Sequence, residues 1–101
     1  MTTVSSHAHA ESRSLTLHRA VAGHVRADPT LLTKARERVA SWQRDGSVHP
    51  HYCAEWNRVL AGSVDDVAAF LEADDERARA LRQTSPFAGV LTARERWQLL
   101  R

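Results

Sequence analysis

Histidine and cysteine stand closest together in the stretch VHPHYC. His49, His51 and Cys53 alternate there, a spacing that could hold a metal ion on an extended segment. Pro50 lies between the two histidines and fits the first position of a helix, which would break that geometry. No second pairing of cysteine with histidine occurs elsewhere in the sequence. We therefore expect a structural or helix-capping role for these histidines and no metal site.

Potential nucleophiles and bases give no catalytic pattern either. Cys53 is the only cysteine and has no orienting motif, so we expect a buried, unreactive thiol. Ser85 lacks the G-x-S-x-G turn that exposes an activated serine. His18 and His24 are six residues apart and do not share a helix face, and we expect both at the surface. With its four glycines scattered singly, the chain is predicted to be no enzyme and to bind no cofactor.

Carboxylates cluster at two points, and both clusters have a simpler explanation than cation binding. Asp65 and Asp66 follow Ser63, while Asp74 and Asp75 precede a new run of apolar positions. Acidic residues favour helix N-termini because they accept hydrogen bonds from free backbone N–H groups and match the helix dipole. The spacing of an EF-hand is absent. We therefore expect helices to start at these positions.

The size of the chain bounds what it can be. With 101 residues and 43% hydrophobic content, it suffices for one small domain. A single cysteine excludes an internal disulfide, and no apolar leader or run of about 18 apolar residues is present. We expect a cytoplasmic protein without a membrane partner. The net charge of +2 is too small to imply nucleic-acid binding by itself.

Apolar residues recur at helical spacing, and no stretch alternates as a strand would. The sequence predicts an all-α fold, a single bundle of about five to six short helices over residues 13–101 behind a disordered N-terminal tail over residues 1–12. The tryptophans Trp42 and Trp56 are expected in the core, and Tyr52 on the inward face of its helix. The predicted helices start near Ser14, Pro29, Pro50, Ser63, Asp74 or Asp75, and Ala93.

The stretch SPFAGVLTARERWQLLR combines an apolar turn with arginines. Pro86 disfavours helix at Ser85, and Thr92 with Glu95 fits a capping box that starts a last helix at about residues 93–101. So short a helix is not stable alone and must dock on something. Arginine and tryptophan are enriched among interface hot spots. The predicted partner-binding residues are Phe87, Arg94, Arg96 and Trp97.

Three segments together resemble a known family. They are LHRAVAGHVRADPTLLTKARERV, VHPHYCAEWNRVLAG and ERARALRQTSPFAGVLTARERWQLLR. They are similar to small, all-helical bacterial antitoxins, which are encoded beside toxins that are often nucleotidyltransferase-like. The most specific part is SPFAGVL followed by RERW. The resemblance implies a protein that neutralises a cognate toxin by direct binding, and it assigns no residue to that task.

Two other functions stay open. A DNA-binding regulator, including a repressor of its own operon, would use the helix pair over residues 16–44, whose second helix offers several cations. The acids Glu37 and Asp45 are interleaved with these cations. A solvated helix face therefore explains the cations as well, and nucleic acid is not the favoured partner. A self-associating scaffold would dock its last helix on a second copy to form a homodimer. The cations in question are Lys34, Arg36, Arg38 and Arg44.

Overall fold

Six α-helices make up the computed structural model, which describes residues 2–101 and the side chains of residues 9–101. Helix α1 lies along α4 and also contacts α5 and α6, while α2 and α3 pack on each other. No strand occurs in residues 2–101, so the predicted all-α class is confirmed. Along the same residues, no helix has both the length and the apolar character needed to cross a bilayer. The helices are α1 (Thr2–Ala27), α2 (Thr30–Asp45), α3 (Pro50–Leu60), α4 (Val64–Glu72), α5 (Glu76–Arg82) and α6 (Ala93–Leu100).

Side-chain caps set the starts of the shorter helices. Ser63 Oγ accepts a hydrogen bond from the Asp66 backbone N–H at 3.1 Å, and the Asp66 carboxylate accepts one from the Ser63 N–H in return. Asp75 Oδ1 accepts from the Ala78 N–H at 2.8 Å. The acids therefore satisfy backbone donors at helix starts, and the predicted break before α5 is confirmed.

The connection between α2 and α3 also follows the prediction. Gly46 adopts φ +70°, a left-handed conformation that favours glycine, and its N–H donates to the Trp42 carbonyl. His49 then caps α3, because its Nδ1 accepts from the His51 N–H at 3.1 Å. Pro50 occupies the first turn, where its missing N–H leaves no bond unmade. The predicted capping role of His49 is confirmed.

The first helix begins earlier than the sequence suggests. Residues 9–13 continue α1, so Ser14 lies inside the helix and the predicted start at Ser14 is wrong. Alanine, glutamate and arginine in this stretch all favour helix. Glu11 Oε2 lies 4.0 Å from Arg79 Nε of α5, a long contact between exposed side chains. The rest of the predicted tail, residues 1–8, lies outside the range whose side chains the structure describes.

Trp56 lies at the centre of the core and has no exposed surface. Its ring meets those of Phe70 and Phe87 edge to face, at centroid distances of 5.8 and 6.1 Å. Its Nε1–H donates to the Thr84 carbonyl oxygen at 2.6 Å. A buried donor without an acceptor costs roughly 1–3 kcal/mol, and this bond avoids that cost for the indole N–H. Trp56 thus joins α3 to α4 and to the segment after α5.

Two aromatic residues lie further out than Trp56. Trp42, expected in the core, is half-buried and packs against the edge of the core. Tyr52, expected to face inward, is instead 37% exposed. Cys53, Trp56 and Leu60 define the buried face of α3, and Tyr52 lies at the edge of that face in the first turn of the helix, where its side chain reaches solvent. Its ring packs edge to face on the His51 ring.

Candidate functional site

The segment between α5 and α6, residues 85–91, is called the elbow here. Phe87 and Leu91 are only 4% and 8% exposed and belong to the hydrophobic core. Gly89 turns the chain at φ +89°, and the Val90 N–H donates to the Phe87 carbonyl at 3.2 Å. The elbow is therefore the last piece of the core. The sequence predicted Phe87 as a contact with a partner. Its side chain is already buried in the core, so it is not an exposed contact.

Helix α6 is fixed to the rest of the fold at its first turn. Thr92 Oγ1 accepts from the Glu95 N–H at 3.1 Å, and Glu95 Oε1 accepts from the Thr92 N–H, so the predicted capping box is confirmed. Glu95 Oε2 also lies 2.7 Å from His24 Nε2 of α1. The hydrogen bond from His24 is the main cause that holds the pKa of Glu95 below its usual value. Nearby, Arg38 of α2 donates to the Ala88 carbonyl at 3.0 Å.

The outer side of α6 presents a narrow surface that we call the Trp97 stripe: Arg94, Trp97 and Arg101. Arg94 and Trp97, three residues apart, lie on one face of α6, and Arg101, which caps the end of the helix, follows Trp97 by four residues. Trp97 is 62% exposed, the most of any large hydrophobic side chain among the described residues. Arg101 Cζ lies 5.0 Å from the Trp97 ring centroid, within the range of a cation–π contact. Neither arginine has a carboxylate within 4 Å among residues 9–101.

Arg96 lies apart from this stripe. It lines a pocket of about 160 Å³ between α1, the elbow and α6. His18 and Ser85 line the same pocket, with Leu17 among its apolar walls. The structure therefore divides the four predicted partner contacts into two pairs: Arg94 and Trp97 lie on the outer side of α6, while Phe87 and Arg96 both line this pocket. Phe87 is in the core, and Arg96 belongs to a second site.

His18 was expected at the surface and is 9% exposed. Its Nδ1 lies 2.8 Å from the Ser14 carbonyl oxygen, and its Nε2 lies 2.9 Å from Ser85 Oγ. Burial is the main cause that lowers the pKa of His18; the bond to Ser14 opposes this effect, and the positive charge of Arg82 adds to it. The spacing of His18 from the core residue Val21 was a signal of its burial, because residues three apart share a helix face.

The basic side of α2 was the candidate surface for DNA. All four of its cations are exposed. Two of them bind carbonyl oxygens of this chain: Arg36 Nε donates to Leu60 O at 2.9 Å, and Arg38 donates to the elbow. These two guanidinium groups stabilise the contacts of α2 with α3 and with the elbow. The four cations are Lys34, Arg36, Arg38 and Arg44.

Metal ligands do not gather in the described part of the chain. No group of three or more His, Cys, Asp or Glu side chains there could hold a metal ion. Cys53 is completely buried, and its Sγ lies 3.7 Å from the Val48 carbonyl oxygen. The acids near α5 instead form ion pairs, as between Asp74 Oδ1 and Arg79 Nε at 2.9 Å. The ion pair is the main cause that lowers the pKa of Asp74.

Comparisons with family models, with curated proteins and with solved structures found no match to this chain. The resemblance to antitoxins therefore stays a prediction. Two places in the fold remain as candidate sites: the Trp97 stripe on α6, and the pocket lined by His18, Ser85 and Arg96.

Proposed function

We propose that this protein binds another protein through the Trp97 stripe, and that the partner is a toxin which it neutralises. The observation that supports this proposal is the exposure of Trp97, 62%, on a helix whose first turn is fixed to α1 and whose preceding elbow is bound by Arg38 of α2. An exposed indole on an anchored helix has the properties of an interface hot spot, because its position needs little reorganisation before contact.

The energetics favour a protein partner for this side chain. Aromatic side chains bury roughly 150–250 Å² each, and removal of apolar surface from water contributes about 25 cal/mol per Å². A partner that covers Trp97 would therefore gain a few kcal/mol from one residue. The contact of Arg101 with the ring limits the rotamers of both side chains, which reduces the entropy lost on binding.

The charges of the stripe specify the chemistry of the partner. Arg94 and Arg101 flank the indole, while Glu95, the acid of this helix, is turned toward His24. The complementary surface is an apolar pocket for the indole with carboxylates at its rim. The guanidinium groups would form charge-assisted hydrogen bonds with those carboxylates. We infer a toxin with an acidic surface at or near its catalytic cleft.

Co-expression with the product of the adjacent reading frame tests the proposal. We expect a complex of fixed stoichiometry and toxicity only when this chain is omitted. The variant Trp97→Ala should weaken the complex by at least about 30-fold, the effect of losing a hot spot of about 2 kcal/mol. The matched control is Tyr52→Ala, which removes another partly exposed aromatic side chain on α3 and should bind as the original protein does.

Charge reversal provides a second comparison. Arg94→Glu places a carboxylate against the acidic rim and should slow association strongly at low salt, whereas Arg44→Glu changes the net charge equally on α2 and should not. A complex that tolerates both Trp97→Ala and Arg94→Glu would contradict the proposed surface. If the folded chain forms no complex but binds its own promoter, the partner is DNA. If it forms no complex but forms a dimer that Trp97→Ala dissociates, the partner is a second copy.

A further inference from the structure

The pair formed by His18 and Ser85 has the geometry of a base and a nucleophile. Ser14 O is a carbonyl oxygen and can only accept, so the proton of the neutral imidazole must be on Nδ1, 2.8 Å away. Nε2 then carries the free lone pair and accepts from the Ser85 hydroxyl at 2.9 Å. This tautomer is the one that a histidine needs in order to remove a proton from serine.

The surroundings of Ser85 suit this chemistry. The Phe87 backbone N–H donates to Ser85 Oγ at 3.2 Å, and a donor there stabilises negative charge as the oxygen loses its proton. The half-buried Ser85 side chain lines the pocket of about 160 Å³, which has room for a short acyl group against Leu17 and Leu91. Arg96 lines the same pocket and has no carboxylate within 4 Å among residues 9–101.

We propose that Ser85 is a nucleophile activated by His18, and that it accepts short acyl groups from activated esters bound in this pocket. Oγ attacks the ester carbonyl carbon while its proton passes to Nε2 of His18. A bond forms between Oγ and the acyl carbon, and the bond from that carbon to the alcohol oxygen breaks. The proton on Nε2 then goes to the departing oxygen, so the products are acyl-Ser85 and an alcohol. The guanidinium of Arg96 stabilises the negative oxygen that develops on the carbonyl.

This activity is separate from the proposed binding of a toxin. Trp97, which carries the toxin proposal, is not among the residues that line the pocket, while Arg96 is. Loss of partner binding in Trp97→Ala should leave the reactivity of Ser85 unchanged. Loss of reactivity in Ser85→Ala leaves the Trp97 stripe intact. Failure of one proposal therefore does not decide the other.

A fluorophosphonate probe tests the proposal on the full chain. Attack by Ser85 Oγ on phosphorus forms an O–P bond and releases fluoride, with the serine proton taken up by His18. We expect an adduct of one probe per chain, which peptide mapping by mass spectrometry places on Ser85. Exposed Ser47 lies on the same chain without a histidine contact among the described residues and serves as the internal control. Release of p-nitrophenolate from p-nitrophenyl acetate should follow the same dependence on Ser85.

Substitutions separate activation from simple exposure. Ser85→Ala should abolish the adduct, and His18→Asn should slow it by at least about 100-fold, the usual contribution of a general base. Ser47→Ala changes an exposed serine outside the pocket and should react as the original chain does. Where a variant fails to fold, the reaction of the unsubstituted chain with the probe tests the proposal. If it is folded by circular dichroism and excess probe leaves Ser85 unmodified, or modifies Ser47 as fast, the proposal is overturned.

Discussion

His24 and Glu95 stand 71 residues apart in the chain, and their Nε2 and Oε2 atoms meet at 2.7 Å. The same carboxylate closes the cap of α6 through its other oxygen, which accepts from the Thr92 N–H. One side chain therefore both starts the helix and attaches it to α1. The direction in which Trp97 faces solvent depends on this attachment.

Removal of His24 should loosen α6 without opening the core. In His24→Ala, Glu95 keeps its capping bonds but loses the contact with α1. We expect amide hydrogen exchange in residues 93–100 to become faster, with the slow amides of α4 unchanged. The control is Glu95→Gln, whose amide oxygen can still accept from the Thr92 N–H while its amide N–H can donate to the His24 ring. Exchange in α6 should be slower in this variant than in His24→Ala. Equal exchange in His24→Ala and the original chain would show that α6 is held by other contacts.

Trp56→Phe should destabilise the fold through one lost hydrogen bond and a small cavity. The substitution leaves the Thr84 carbonyl without the indole donor and removes part of a completely buried side chain. We expect a loss of about 2 kcal/mol or more in the free energy of unfolding, measured by urea denaturation. Trp42→Phe, at the edge of the core, should cost less than about 1.5 kcal/mol. Equal losses would contradict the central position of Trp56.

Two glycines should respond to alanine with opposite signs. Gly23 lies inside α1, and a Cβ there would meet no atom within 4 Å, so Gly23→Ala should stabilise the fold by about 0.5–1 kcal/mol. Gly46 has equal space but φ +70°, so Gly46→Ala should cost about 1–2 kcal/mol. Thermal denaturation of both variants measures the difference. A fall in stability for Gly23→Ala would mean that the helix is not continuous at this residue.

The stability of the fold should fall because of His18 in a pH window that opens below about 6.5. In the unfolded chain the imidazole takes up a proton near pH 6.5, whereas burial lowers the pKa of His18 in the folded chain. In this window the unfolded state binds more protons, so the free energy of unfolding decreases as the pH falls. The nearby charge of Arg82 on α5 acts in the same direction. Urea denaturation at several pH values measures this effect. The free energy of unfolding should change less with pH in His18→Gln than in the original chain.

Local contacts were predictable from the sequence. Ser63, Asp75 and Thr92 each meet a backbone N–H three residues further on, so neighbouring residues suffice to predict these helix starts. The left-handed conformation of Gly46 follows from its lack of a Cβ in the same way. All of these features depend on partners within one or two helical turns.

The features that the sequence did not predict depend on distant partners. His18 is buried because Ser85, 67 residues later, supplies the hydroxyl that bonds its Nε2. Phe87 was predicted to bind a partner, yet it completes the core because the elbow folds back onto Trp56 of α3. In both cases the residue type permits burial or exposure, and only tertiary packing decides between them. The reactivity proposed for Ser85 has no sequence motif for the same reason.

The position of the elbow in the chain has a consequence for synthesis on the ribosome. Phe87 and Leu91 complete a core whose other members, apart from Leu81, come from α1 to α4. Until the elbow has left the exit tunnel, Phe87 cannot pack on Trp56, and part of the apolar surface of the core stays exposed to water. Incomplete chains with exposed apolar surface are prone to aggregation. Emergence of the elbow therefore marks the time at which the nascent chain can close its own core.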